Sequence, residues 1–180
     1  MTGFLSRGRA GAFQQAINLA QLTGLPADIT AVRTYTSRPG VSLNLEQQVS
    51  ETVGVFARAG WADGTIEPWD FTDIDKTVSA GVSFNGKQWG RPNDTIGIAG
   101  IVNNIAPVHQ AFFNAGGLGI LIGDGQLPNS GLEEIFETYY SYGFTEATKV
   151  TLDYQFINNP AYNTQRGPVN AFALRLHTQF

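Results

Sequence analysis

Cysteine is absent from all 180 residues, which excludes a disulfide framework and any thiolate metal site. Charge is scarce too: Asp, Glu, Lys and Arg make up 14% of the chain, where about a quarter is usual for soluble domains. The 11 cationic and 15 acidic side chains leave a net charge of −4, and no basic cluster marks a nucleic-acid surface. No apolar run approaches the roughly 20 residues of a membrane helix, and "MTGFLSRGRAGAFQQ" holds no secretory h-region. A barrel stays open, because a membrane β-strand needs only about 9–11 residues. The imidazoles are His109 and His177, far apart and without a ligand-spaced neighbour. That pattern supports neither a metal site nor a Ser–His–Asp triad, and no cofactor is implied.

Glycine is abundant, at 21 residues, and so are aromatics, with 3 Trp, 6 Tyr and 12 Phe. One amphipathic helix is predicted within 11–24, where Phe13, Ala16, Ile17 and Ala20 recur at helical spacing and Gly24 and Pro26 end it. A partial strand is expected within 1–10, and strands and loops fill 41–180. "TKVTLDYQFI" alternates most clearly, setting Val150, Leu152, Tyr154 and Phe156 against Lys149, Thr151, Asp153 and Gln155. "VSLNLEQQV", "VGVFARAGWA", "DIDKTVSAGVSF", "DTIGIAGIVN", "LEEIFETYYSYGF" and the closing "NAFALRLHTQF" complete about eight strands. Short connections such as "SET" alternate with long ones such as 104–131, as in barrels with tight periplasmic turns and extended outer loops. Aromatics on the apolar faces sit near strand ends, Trp61 and Phe156 at one end and Phe84, Tyr142, Phe144 and Phe180 at the other. Two interfacial girdles are the expectation. A soluble β-sandwich also alternates, so a glycan-binding domain without a pore is the competing class.

The blocks "GVFARAGWADG", "FTDID", "WGRPNDTIGIAG", "GGLGILIGDG", "ETYYSY", "LDYQFINNPAYNTQRGPV" and "LRLHTQF", taken in order, resemble the OprB-type carbohydrate-selective porin family. The resemblance runs over essentially the whole chain. It implies an all-β, antiparallel, up-and-down outer-membrane barrel, of which about eight strands of sixteen are present as the C-terminal part. It further implies passive diffusion of sugars across a Gram-negative outer membrane, with no enzymatic activity. Expected partners are outer-membrane lipid and the barrel-assembly machinery, reached through the C-terminal strand, and a homotrimer is compatible with it. The segments expected before such strands, a signal peptide included, are not in this chain, so a truncated, non-conducting fragment is the other alternative.

Alternation puts Glu46, Arg58, Asp75, Glu137, Lys149, Asp153 and Arg175 on the polar side of their strands, as candidate lumen-lining residues. There they would set a transverse field and hydrogen-bond sugar hydroxyls, or pair with one another to hold the wall. Arg58 and Arg175 have the stronger claim to solute, through a planar donor fork. Arg91 and Asp94 flank Pro92 as a rim contact or an Asp-stabilised turn, the turn being preferred. Arg166 is a mouth candidate in a loop that Asn159 and Asn163 would stitch. "GGLGILIGDG" misses the dinucleotide fingerprint by one residue and lacks the helix that should follow it, so a loop folded inward against the wall is preferred. Glu133, Glu134 and Glu137 do not make a glycosidase pair, since Glu134 and Glu137 fall on opposite faces of a strand.

Overall fold

In the computed structural model, which describes residues 1–69, 73–119 and 127–179, the strands are β1 Thr2–Ala10, β2 Thr34–Gln48, β3 Val53–Ala62, β4 Lys76–Asn85, β5 Thr95–Asn104, β6 Glu133–Gly143, β7 Thr148–Asn158 and β8 Val169–Thr178. They form a single sheet in chain order, β1 to β8, every neighbour antiparallel. The sheet is not closed, so β1 and β8 are its edges. Seven of the strands are 9–11 residues long, the length a tilted strand needs to cross a bilayer.

The register carries the sequence alternation across the whole sheet. Leu45, Ala57, Ala80, Gly100, Phe136 and Phe156 follow one another along one pleat, and Leu152 lies between Tyr140 and Leu174 along another. That face is apolar and largely open: Val78, Leu152, Leu174 and Leu176 are all exposed. On the opposite face Asn44, Arg58 and Ser79 are aligned, as are Glu137 and Gln155. A sheet with an exposed apolar face and a polar one matches a wall between lipid and a wet lumen rather than half of a dry sandwich.

Strand direction alternates, so connections after odd-numbered strands share one end, and these are the long ones: 11–33, 63–75, 105–132 and 159–168. At the other end lie the short turns, 49–52, 86–94 and 144–147. Helix α1, Phe13–Thr23, buries Phe13, Ala16, Ile17 and Ala20 as their spacing predicts, and Gly24 ends it at φ 70° with its N–H on the Ala20 carbonyl. A second helix, α2, Pro107–Asn114, starts on Pro107 and buries His109, Phe112 and Phe113. With Ile29, Ile105, Leu127 and Tyr162 these helices build the apolar core of the described residues. The core thus sits in a folded layer at the long-connection end, and the sheet itself encloses none of it.

Three boundaries differ from the sequence reading. Strand β2 starts at Thr34 rather than near Val41, running through Pro39, whose partner is Leu5. Strand β4 starts at Lys76, because Asp73 and Asp75 are drawn into the buried layer. Helix α2 interrupts what reads as one long loop.

Candidate functional site

The polar face of the sheet and the layer above it hold the chemistry. On β2 and β3, Arg58 donates from Nε to Asn44 Oδ1 at 3.0 Å and from Nη2 to Glu46 Oε1 at 2.9 Å. Its guanidinium also stands 4.9 Å from the centre of the Phe56 ring. Both partners of this pair are more than half exposed, so it orients the fork more than it stabilises the wall.

On β6 to β8, Glu137, Lys149, Asp153 and Arg175 converge with Tyr139 on one open cleft of about 460 Å³. Lys149 lies opposite His177, and Arg175 opposite Thr151. Among the described residues, no ion pair closes on Lys149 or Arg175 within 4.0 Å. The register therefore gathers four separately predicted residues into a mixed-charge patch facing away from the apolar side.

Asp75 is placed elsewhere. It precedes β4 and is buried, accepting from Arg38 Nη2 at 2.8 Å, from the Ala106 N–H at 2.7 Å and from His109 Nδ1 at 2.9 Å. Both of its oxygens accept hydrogen bonds within the buried layer. His109 Nε2 lies 3.5 Å from Asp73 Oδ1, and the imidazole stacks on Phe13 with centres 4.1 Å apart. Burial pushes the His109 pKa down, but Asp73 and Asp75 outweigh it and hold it above the ordinary value. Burial likewise pushes Asp75 up, and His109, Ala106 N–H and Arg38 together hold it below the usual carboxylate range. Tyr162, whose hydroxyl donates to the Asp73 carbonyl at 2.7 Å, has its phenol pushed up by burial. A charge-balanced group of this kind suits a lock between β2, the β3–β4 connection and α2.

Arg91 and Asp94 also act as structure. Asp94 is fully enclosed in the β4–β5 turn and accepts from Arg91, the Tyr140 hydroxyl and the Gly143 N–H. The Arg91 hydrogen bond leads the causes that bring its carboxyl down to about 2. Arg91 lies 3.9 Å above the Tyr142 ring, on the aromatic side of the wall. Arg166 lies in the β7–β8 connection with its N–H on the Asn163 carbonyl. Asn159 stitches that loop through the Leu132 carbonyl at 2.9 Å, and Asn163 through the Gln165 N–H at 2.9 Å. Of the glycines read as a close-packed loop, Gly117 lies against Phe112 and Gly119 against Phe113; Gly123 is outside the described residues.

Trp61, Phe84, Tyr142 and Phe156 all lie on the apolar face, the first and last toward the long connections and the others toward the turns. Phe144 follows β6 and packs edge-on against Tyr142, with centres 4.8 Å apart. Phe180 is outside the described residues. Arg38 and Asp73 are not among the residues the sequence singles out, and His109 lies in α2. Pro107 followed by His109, Phe112 and Phe113 at helical spacing was the available signal for α2.

The model of the "Carbohydrate-selective porin, OprB family" matches residues 1–180. No curated protein matches the sequence. Among solved structures, the high-pH structure of Pseudomonas putida OprB superposes with a TM-score of 0.75 at 19% identity, covering 99% of this chain and 43% of that one. At that identity the likeness is one of fold, and this chain spans less than half the length of that protein.

Proposed function

Starting from the fact that the chain belongs to the carbohydrate-selective porin, OprB family, we propose that it forms wall and mouth of an outer-membrane channel for passive diffusion of sugars in a Gram-negative bacterium. The observation that carries this reading is the division of one eight-stranded sheet into an exposed apolar face and a face of hydroxyl, amide and charged side chains. Lipid covers the first, and water and solute meet the second. Glu46, Arg58, Glu137, Lys149, Asp153 and Arg175 line the passage. Their oriented donors and acceptors replace part of a sugar's hydration shell without binding it tightly enough to stop it.

The open edges set a condition. Unpaired N–H and C=O groups along β1 and β8 cannot rest in hydrocarbon, so the conducting unit includes strands that satisfy them. We place this chain as the C-terminal part of such a unit, with β8 as the strand that assembly machinery engages. Proteoliposome swelling tests the reading. Swelling in isotonic glucose faster than in an equal concentration of a larger oligosaccharide is expected. Permeation no greater than through empty liposomes, with the edges satisfied, would sink it.

A further inference from the structure

Charge on the apolar face gathers at one end of the sheet. On the polar face Phe4 seats against Gly40, its partner across β1 and β2, where a Cβ would stand 2.1 Å from Cζ. Phe56 seats on Gly81 in the same way, at 2.4 Å. Leu5, Arg7 and Arg9 alternate with Phe4 and Gly8, so they belong to the other face, with Val41 and Leu43. Lys76 shares that face, opposite Trp61. The remaining strand cations among the described residues, Arg38, Arg58, Lys149 and Arg175, fall on the polar face. Arg7 and Arg9 lie near the end of β1 and Lys76 begins β4, so all three stand beside the long connections. The strand acid on this face, Glu134, is at the same end but two strands beyond β4, where Asn158 donates to it.

These cations lack counter-charges. Arg7, Arg9 and Lys76 are exposed, and among the described residues no carboxylate lies within 4.0 Å of any of them. Their neighbours are rings: Arg7 stands 5.4 Å from the centre of Tyr35, and Trp61 pairs with Lys76. Both rings are exposed, as are Leu5, Leu43 and Val78 nearer the middle of the sheet. A charge is costly at the bilayer midplane and cheap at its boundary, where Trp and Tyr also collect. The surface therefore runs from cations through amphipathic rings to aliphatic side chains, the order in which a lipid presents phosphate, headgroup boundary and acyl chain.

A phosphate takes two parallel hydrogen bonds from a guanidinium fork. Arg7 and Arg9 are two residues apart on one face, about 7 Å at roughly 3.3 Å per residue, so one phosphate can meet both. The Lys76 row crosses β1 at Gly3, three strands and four residues from Arg7. That offset is about 14 Å by 13 Å, at roughly 4.8 Å per strand. Long side chains narrow the gap from both sides, so a headgroup with two separated phosphates suits the surface better than one with a single phosphate. We propose that Arg7, Arg9 and Lys76, beside Tyr35 and Trp61, form a site for a phosphorylated glycolipid of the lipid A class, whose acyl chains lie over Leu5, Val41 and Leu43. This rests on the reading of the apolar face as lipid-facing and of the long connections as the outer end.

Native mass spectrometry of the full chain released from neutral detergent tests the site, with lipid A, phosphatidylglycerol and phosphatidylcholine offered in equal amounts. Retention of lipid A over both phospholipids is expected. It should fall at least about tenfold when Arg7→Ser and Arg9→Ser are combined, and about fivefold in Lys76→Ser. Lys87→Ser removes an exposed cation from the short-turn end and should change nothing. All four positions are exposed, and unchanged phosphatidylcholine retention checks that each variant stays folded. Undiminished lipid A retention in the double variant, or an equal loss in Lys87→Ser, would overturn the proposal. So would a preference for phosphatidylglycerol, or complete displacement of lipid A by excess inorganic phosphate, which would mark a simple ion site. Swelling of proteoliposomes containing wild-type chain separates the two claims. Normal permeation with undiminished retention in the double variant defeats the lipid site alone, and absent permeation with lipid A retained defeats the passage.

Discussion

His109 Nδ1 lies 2.9 Å from Asp75 Oδ2, and neither side chain is more than 1% exposed. Through this contact, α2 is held to the segment before β4, and Arg38 ties the same carboxylate to β2. The groups facing the imidazole are Asp75 and Asp73 from the β3–β4 connection, the Phe13 ring from α1 and the Phe113 ring of α2 itself.

Stability of this layer should depend on pH from both sides. His109 has its folded pKa above the ordinary value near 6.5, so its contribution is complete below that value and is lost as pH rises through the folded pKa. Asp75 has its folded pKa below 3.8, so its contribution is complete above that value and is lost as pH falls through the folded pKa. Amide protection in α2, corrected for the intrinsic pH dependence of exchange, should be greatest in mildly acidic solution and fall on the alkaline side, whereas that of β6 and β7 should show no such maximum. His109→Leu, which strips one partner from a buried charged group, should lower the free energy of opening α2 by about 3–5 kcal/mol. Protection in α2 with no pH optimum would remove the lock.

Asp94 makes a second lock at the other end of the sheet. It gathers Arg91, Tyr140 and the Gly143 N–H, so it joins the β4–β5 turn to the end of β6. With the carboxyl at about 2 when folded and 3.8 when free, this contribution is present above pH 3.8 and is lost as pH falls toward 2. Asp94→Asn should lower the heat-modification midpoint at neutral pH by several degrees. The gap between variant and wild type should close in acid, and a gap that stays constant with pH would show that the charge is not involved.

Much of this was legible from residues alone, for physical reasons that differ by element. In β7 and β8 strict alternation follows from a wall with lipid on one side, so Leu152 and Leu174 declare their face without any partner being known. Strand β2 hid its beginning behind Pro39, a residue normally excluded from strand interiors. The layer was the least legible part. Asp75 continues the alternation of β4 in sequence, and only the tertiary demand of Arg38 and His109 for a counter-charge pulls it inward. The Arg58 to Glu46 pair could be read from register, but the seating of rings on glycines could not, because a glycine in a strand does not say which neighbour approaches it.

The glycines give a paired test of that seating. A Cβ at Gly81 would meet Phe56 at 2.4 Å and the Ile98 carbonyl at 2.7 Å, and backbone cannot swing aside. Gly81→Ala should destabilise by about 1–3 kcal/mol, the range for overpacking. Gly100, one strand away on the apolar face, has nothing within 4 Å of its Cβ position. Gly100→Ala should be neutral or stabilise by up to about 1 kcal/mol, as strand entropy is recovered. Urea titration of both variants in detergent decides it, and equal effects would contradict the close approach at Gly81.

The assignment of faces makes the strongest demand, and one strand can test it. Leu152 and Gln155 both belong to β7 but point to opposite sides, Leu152 between Tyr140 and Leu174, Gln155 between Glu137 and Ala171. Leu152→Arg would place a charge near the middle of the apolar band, at a cost of about 2–4 kcal/mol in folding into a bilayer. Gln155→Arg would add the same charge beside Glu137 on the wet side, where an exposed pair changes stability by about 0–1 kcal/mol. Reversible folding into lipid vesicles, followed by intrinsic fluorescence, measures both. If Gln155→Arg proved the more costly, the polar face would be the one in contact with lipid, and the passage proposed along it would have no place to run.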